Sequence, residues 1–138
     1  MCPRILIVED NPTNLELMDY LLSSFGHEVL AAMDGEAGLE LAKGESPDLI
    51  ICDIQIPKVD GFGVARQLKA DDHLRHIPLV AITAFAMVGD RERMLAGGFD
   101  GYVSKPIDPQ VFVTQMEAFL NPQPQAARPD PPRRRQGE

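Results

Sequence analysis

Apolar residues alternate along the chain between short unbroken runs and longer stretches spaced three and four apart. Ile5-Leu6-Ile7-Val8 is an unbroken run, which predicts a strand covered on both faces. Asn11 offers a helix cap and Pro12 suits the first helical position. Leu15, Met18, Leu22 and Phe25 follow at helical spacing, and Gly26 stops the segment. A weak strand is read over Glu28 to Ala31, then a short helix from Asp34 to about Lys43. Asp48-Leu49-Ile50-Ile51-Cys52-Asp53 is a second buried strand. Pro57 to Gly61 breaks the chain, and a helix follows from about Phe62 to Lys69. Pro78 to Thr83 reads as the fourth strand, with Leu79, Val80 and Ile82 as its apolar content. A loosely patterned helix over Val88 to Leu95 ends at Gly97-Gly98. Gly101 to Ser104 gives a short fifth strand. Asp108 and Pro109 then open a last helix with Phe112, Val113, Met116, Phe119 and Leu120 as its apolar stripe.

Five strand–helix units predict an α/β fold, a doubly wound parallel sheet with helices on both faces. In such sheets the site lies beyond the carboxyl ends of the strands. The first strand ends in Glu9-Asp10, the third in Asp53, the fourth in Thr83, and the fifth in Ser104-Lys105-Pro106.

Length and composition narrow the picture. The chain has 138 residues, 44% of them hydrophobic, enough for one core and too apolar for disorder throughout. Globular structure is expected over residues 1–120. Residues 121–138 hold five of the twelve prolines and four arginines (Arg128, Arg133, Arg134, Arg135), and read as a disordered tail. The formal charge is -8 although that tail is net positive, so the body is strongly acidic. An acidic body argues against nucleic-acid binding by the domain, since phosphate contact needs Lys and Arg. Cys2 and Cys52 form no metal or redox spacing and point to a reducing compartment. No apolar run is long enough to span a membrane, and the N-terminal run is too short for a signal peptide. A cytoplasmic protein is the expectation.

Taken singly, each strand-end residue has an ordinary explanation: an Asp as a turn residue, a Thr as a strand residue, a Lys as a surface charge. Their convergence in one crevice is less ordinary. Carboxylates brought together repel unless a cation compensates them, and Mg²⁺ accepts a few carboxylates plus water. A lysine beside them is a mobile point charge suited to phosphate oxygens. Carboxylates, Mg²⁺, a hydroxyl and a lysine suit phosphoryl transfer, and an aspartate can itself be the nucleophile.

Across residues 4–120 the chain resembles the receiver domain of two-component response regulators (CheY-like). The matching segments are Val8-Glu9-Asp10-Asn11, Asp48 through Pro57 with Asp60-Gly61, Pro78 through Ala84, and Gly101-Tyr102-Val103-Ser104-Lys105-Pro106. The stretches His76-Ile77-Pro78 to Ala86-Met87 and Ser104 to Ile107 are similar to single-domain regulators of the DivK cell-cycle type. The resemblance implies a flavodoxin-like (βα)5 sheet with strand order 2-1-3-4-5. It implies that Asp53 accepts phosphoryl from a sensor histidine kinase or a histidine phosphotransfer protein. By the same resemblance Glu9, Asp10, Asp53 and the backbone carbonyl of Gln55 hold Mg²⁺. Thr83 and Lys105 bind phosphoryl oxygens, Tyr102 is an aromatic switch, and Lys105-Pro106 is a cis peptide. A downstream protein is expected to read the face of the fourth helix, fifth strand and fifth helix, around Arg91, Met94 and Tyr102.

Other residues are read plainly. Cys52 is expected to point away from the site into the core. His27, His73 and His76 have no ligand spacing and are placed on the surface. Phe85 and Met87 either cover the site or pack ordinarily. An aspartate-nucleophile phosphatase usually needs a second acid two residues after the nucleophile, where this chain has Gln55. A flavodoxin-type electron carrier needs a glycine- and hydroxyl-rich phosphate loop where this chain has Glu9-Asp10-Asn11-Pro12. A receiver that drains phosphoryl groups from a relay, or one belonging to a longer hybrid kinase, fits the same residues.

Overall fold

Five strands and five helices alternate through residues 3–84 and 88–120, which the computed structural model describes, with backbone alone at 88–90. The proline- and arginine-rich tail, Phe85 and Met87 lie outside the described residues. The strands are β1 (Arg4–Val8), β2 (Glu28–Ala32), β3 (Leu49–Asp53), β4 (Leu79–Thr83) and β5 (Gly101–Ser104). The helices are α1 (Pro12–Ser24), α2 (Gly35–Glu45), α3 (Gly61–Ala70), α4 (Val88–Ala96) and α5 (Pro109–Leu120). All strand pairs are parallel, in the order β2-β1-β3-β4-β5. This is the flavodoxin-like arrangement.

Period-two alternation divides the central strands between two cores. Leu6, Val8, Ile50, Cys52, Leu79 and Ala81 pack with Leu39, Ala42, Val64, Ala65 and Leu68 of α2 and α3. Ile5, Ile7, Leu49, Ile51, Val80 and Ile82 pack with Met18, Leu22, Phe112, Val113 and Met116 of α1 and α5. Both faces are covered, so β1, β3 and β4 are unbroken apolar runs and not alternating ones. Cys52 is fully buried in the first core, away from solvent.

Three expectations need correction. Phe25 is not part of a buried stripe: it caps the end of α1 and is 63% exposed. The chain leaves the helical path there and turns at Gly26, whose φ of +89° is glycine territory. That turn carries His27 inward, not onto the surface; its ring is only 8% exposed and Nε2 lies 2.9 Å from Glu117 Oε2 on α5. Met94 is 2% exposed and packs in the first core, so no partner can read it. It packs from α4 into the core on the α2–α3 face of the sheet.

One close approach fixes the ground under the site. A Cβ on Gly35 would lie 1.8 Å from the Val59 carbonyl oxygen, and the Gly35 N–H donates to Pro57 O at 3.2 Å. Glycine at the start of α2 therefore lets that helix seat against the loop following β3.

Candidate functional site

The carboxyl ends of β1, β3, β4 and β5 open on one crevice. Asn11 stops the chain from continuing straight after β1: its side chain accepts from the N–H groups of Thr13 and Asn14 at 2.9 and 3.1 Å, capping α1. This tight turn presses Glu9 into the interior, where it is fully buried, and leaves Asp10 exposed at the rim. Glu9 Oε2 accepts the Asn11 N–H at 3.1 Å.

Asp53, the last residue of β3, is 3% exposed. Its Oδ1 accepts the Gln55 N–H at 2.9 Å, and its Oδ2 accepts from Lys105 Nζ at 2.6 Å. The same ammonium stands 3.5 Å from Glu9 Oε1. Carboxylate oxygens of Glu9, Asp10 and Asp53 all lie within 4.8 Å of one another. One lysine thus pairs with two of the three clustered acids, and Glu9 Oε1 is buried without a hydrogen bond among the described residues.

The electrostatics follow from that geometry. Burial raises the Glu9 pKa to about 7, with the neighbouring Asp53 carboxyl pushing the same way and the Asn11 N–H and Lys105 pulling it down. For Lys105, burial works to lower the pKa, but the bond to Asp53 and the charges of Asp53 and Glu9 outweigh it and the net shift is upward. A hard divalent cation bound among these oxygens would meet the demand of the Glu9 oxygen and relieve the repulsion. The donor set therefore fits Mg²⁺.

Thr83 ends β4 and is 6% exposed, and its carbonyl accepts the Lys105 N–H at 2.8 Å. The Lys105–Pro106 peptide is cis. Gln55 is exposed in the loop after β3. Tyr102 lies on β5, half-buried, and its hydroxyl accepts from Arg91 Nε at 3.4 Å. The structure thus gathers Glu9, Asp10 and Asp53 in reach of one another and Lys105 in reach of Glu9 and Asp53, with Thr83 next to Lys105 and Tyr102 further out. Lys58 carries no motif in the sequence, yet it has a left-handed φ of 70° and an ammonium 3.9 Å from Asp34 and 3.7 Å from Glu36. A base placed between Pro57 and Asp60-Gly61 was its only signal.

Residues 5–117 match the family of response regulator receiver domains. The polar-differentiation response regulator DivK of Brucella anthropi is 46% identical over 120 residues, covering 87% of this chain and 98% of that protein. Its counterpart in Brucella ovis is 44% identical over the same coverage. Among solved structures, the receiver domain of the sensor histidine kinase PA1611 from Pseudomonas aeruginosa superposes with a TM-score of 0.81 at 31% identity, covering 88% of this chain and 99% of that one. That structure holds a magnesium ion in its active-site cleft. A response regulator structure from Chloroflexus aurantiacus gives a TM-score of 0.83 at 28% identity, covering 87% and 98%. Receiver domains are signalling modules that take phosphoryl groups from histidine kinases or phosphotransfer proteins and generally bind Mg²⁺ at an acidic pocket. The chain belongs to this family of two-component response regulator receivers and is similar, within it, to DivK.

Proposed function

We propose that this receiver is a phosphorelay switch in which Asp53 is the phosphoryl acceptor. The observation that carries the reading is the Asp53 carboxylate itself: nearly buried, at a strand end, gripped by Lys105 at 2.6 Å and flanked by Glu9 and Asp10. An Asp53 carboxylate oxygen would attack the phosphorus of a partner's phosphohistidine. The P–O bond forms as the P–N bond breaks, and the imidazole leaves with the electron pair. Glu9, Asp10, Asp53 and the Gln55 carbonyl would hold Mg²⁺, which when bound neutralises charge on the phosphoryl oxygens. Lys105 is placed to exchange its bond to Asp53 for one to a phosphoryl oxygen, since the ammonium pivots on a flexible stem. The Thr83 hydroxyl would take a second oxygen, which draws the end of β4 toward Asp53. Transfer then rests on positioning and charge neutralisation, as phosphoryl chemistry requires.

The donor would be a sensor histidine kinase or a histidine phosphotransfer protein. The output would be contact with a further protein at the face of α4, β5 and α5, where Tyr102 lies. Among the described residues no helix is long and apolar enough to cross a membrane.

Incubation of the full chain with acetyl phosphate and Mg²⁺ tests the reading. One acid-stable, base-labile phosphoryl group per chain is expected, absent from Asp53→Asn and lost when the cation is chelated. Equal labelling of Asp53→Asn would overturn the assignment.

A further inference from the structure

We infer that Arg91 is a positioning residue that latches Tyr102 in its outer place until Asp53 is phosphorylated. The inference rests on the reading of Asp53 and Tyr102 just given.

α4 is short of apolar anchors. Its sequence, Val-Gly-Asp-Arg-Glu-Arg-Met-Leu-Ala, buries Met94, while Leu95 is 50% exposed. With Met94 the one large side chain buried among the described residues of α4, the helix leans on its polar contacts. Two arginines supply them on opposite flanks. Arg93 lies over the Phe62 ring, 5.2 Å from its centroid, and Phe62 meets Phe99 edge-on at 5.9 Å. This flank ties α4 to α3. Arg91 reaches the other way and donates to the Tyr102 hydroxyl at 3.4 Å, tying α4 to β5.

The two ties differ in what they would do to a switch. Phe62 opens α3, and its ring is turned toward Arg93, Phe99 and the open side of Gly97. Tyr102 stands in register with Ala81, two residues before the Thr83–Ser104 pair at the site. If Thr83 is drawn toward a phosphoryl group, the space beside β4 is what the Tyr102 ring would enter. To enter it, the phenol must leave Arg91. The groove outside the ring, about 520 Å³ and lined by Arg91, Leu95, Val103 and Gln115, leaves the outer position unobstructed. The outer placement is therefore open to the ring, and the Arg91 bond weights it against the inner one. A solvent-exposed bond shifts such an equilibrium roughly three- to tenfold, enough to set a resting level without locking the switch.

The test uses the composition of the chain. It has two tyrosines and no tryptophan, and Tyr20 is 70% exposed on α1. In the Tyr20→Phe chain, 3-fluorotyrosine gives one ¹⁹F resonance, from Tyr102. Spectra are taken alone and with Mg²⁺ and beryllium fluoride, a phosphoryl mimic. Without the mimic, Arg91→Ala is expected to move the resonance toward the position it takes with the mimic, raising that population roughly three- to tenfold. Arg93→Ala, which removes the tie of α4 to Phe62, should leave it in place. An Arg91→Ala spectrum that overlays the parent, where the mimic does move the parent, overturns the latch alone. If the mimic moves nothing in the parent although Asp53 is labelled by acetyl phosphate, Tyr102 is no switch and the latch falls with it. If neither labelling nor movement occurs, the reading of Asp53 fails first.

Discussion

Burial strips the Glu9 carboxylate of water while Asp53 lies against it, and together these raise its pKa to about 7 from the ordinary 4.5. Between those two values the folded domain holds a proton that the unfolded chain has released. This group therefore favours the fold at the acidic end of that window, and the contribution is lost as pH rises through about 7. In Mg²⁺-free buffer, the melting temperature of wild type should fall relative to Glu9→Gln as pH goes from about 5 to about 8. Parallel pH profiles for the two proteins would contradict the buried-acid argument. Since the cation competes with that proton, Mg²⁺ affinity should rise over the same range in wild type and much less in Glu9→Gln, measured by calorimetry. The residues of this site were legible in the sequence because each ends a strand, and strand ends are marked by where an apolar run stops. His27 was not legible. Its burial comes from Glu117 on α5, ninety positions away, and no local pattern announces a contact of that range.

At the scale of elements, α2 shows how one residue type takes two opposite roles. Gly35 sits where a Cβ would strike the Val59 carbonyl, whereas a Cβ on Gly44 would meet nothing within 4 Å. Gly35→Ala should therefore destabilise by about 1–3 kcal/mol, since backbone cannot yield as a side chain can. Gly44→Ala, in the last turn of the same helix, should stabilise by up to about 1 kcal/mol through helix propensity. Urea unfolding of the two variants checks both signs. A stabilising Gly35→Ala would mean that α2 and the loop after β3 are not seated as described. The elements themselves were readable because period two and period 3.6 change over cleanly along this chain. Their ends were less so, because apolar spacing does not mark where a helix stops: α2 runs on to Glu45 and stops at Ser46, φ 47°, where Pro47 bars a further turn. The exposed Phe25 misled for the same reason, since helical spacing continues past the point where the backbone turns.

In the whole molecule the sheet cannot carry a large movement. β1, β3 and β4 are covered on both faces by packed side chains, and such cores resist continuous deformation. Any signal leaving Asp53 has to pass along the rim, where Thr83, Tyr102 and the thinly anchored α4 lie in sequence. On the proposed reading Thr83 would be the coupling residue: it lies beside Lys105 at the site and two positions from Ala81, the register partner of Tyr102. A switch of this kind needs two packings within a few kcal/mol of each other, with phosphorylation favouring one. Removing the Thr83 hydroxyl leaves Asp53, Lys105 and the acidic pocket intact, so phosphorylation should persist. What should be lost is the pull on β4. For a partner whose binding tightens on phosphorylation, Thr83→Ala should cut that tightening about tenfold or more while leaving the affinity of the unphosphorylated form unchanged. Titration of the labelled and unlabelled variant against such a partner separates the possibilities. Undiminished tightening in Thr83→Ala would show that the signal leaves Asp53 by another route, with the neighbouring Lys105 as the next residue to substitute.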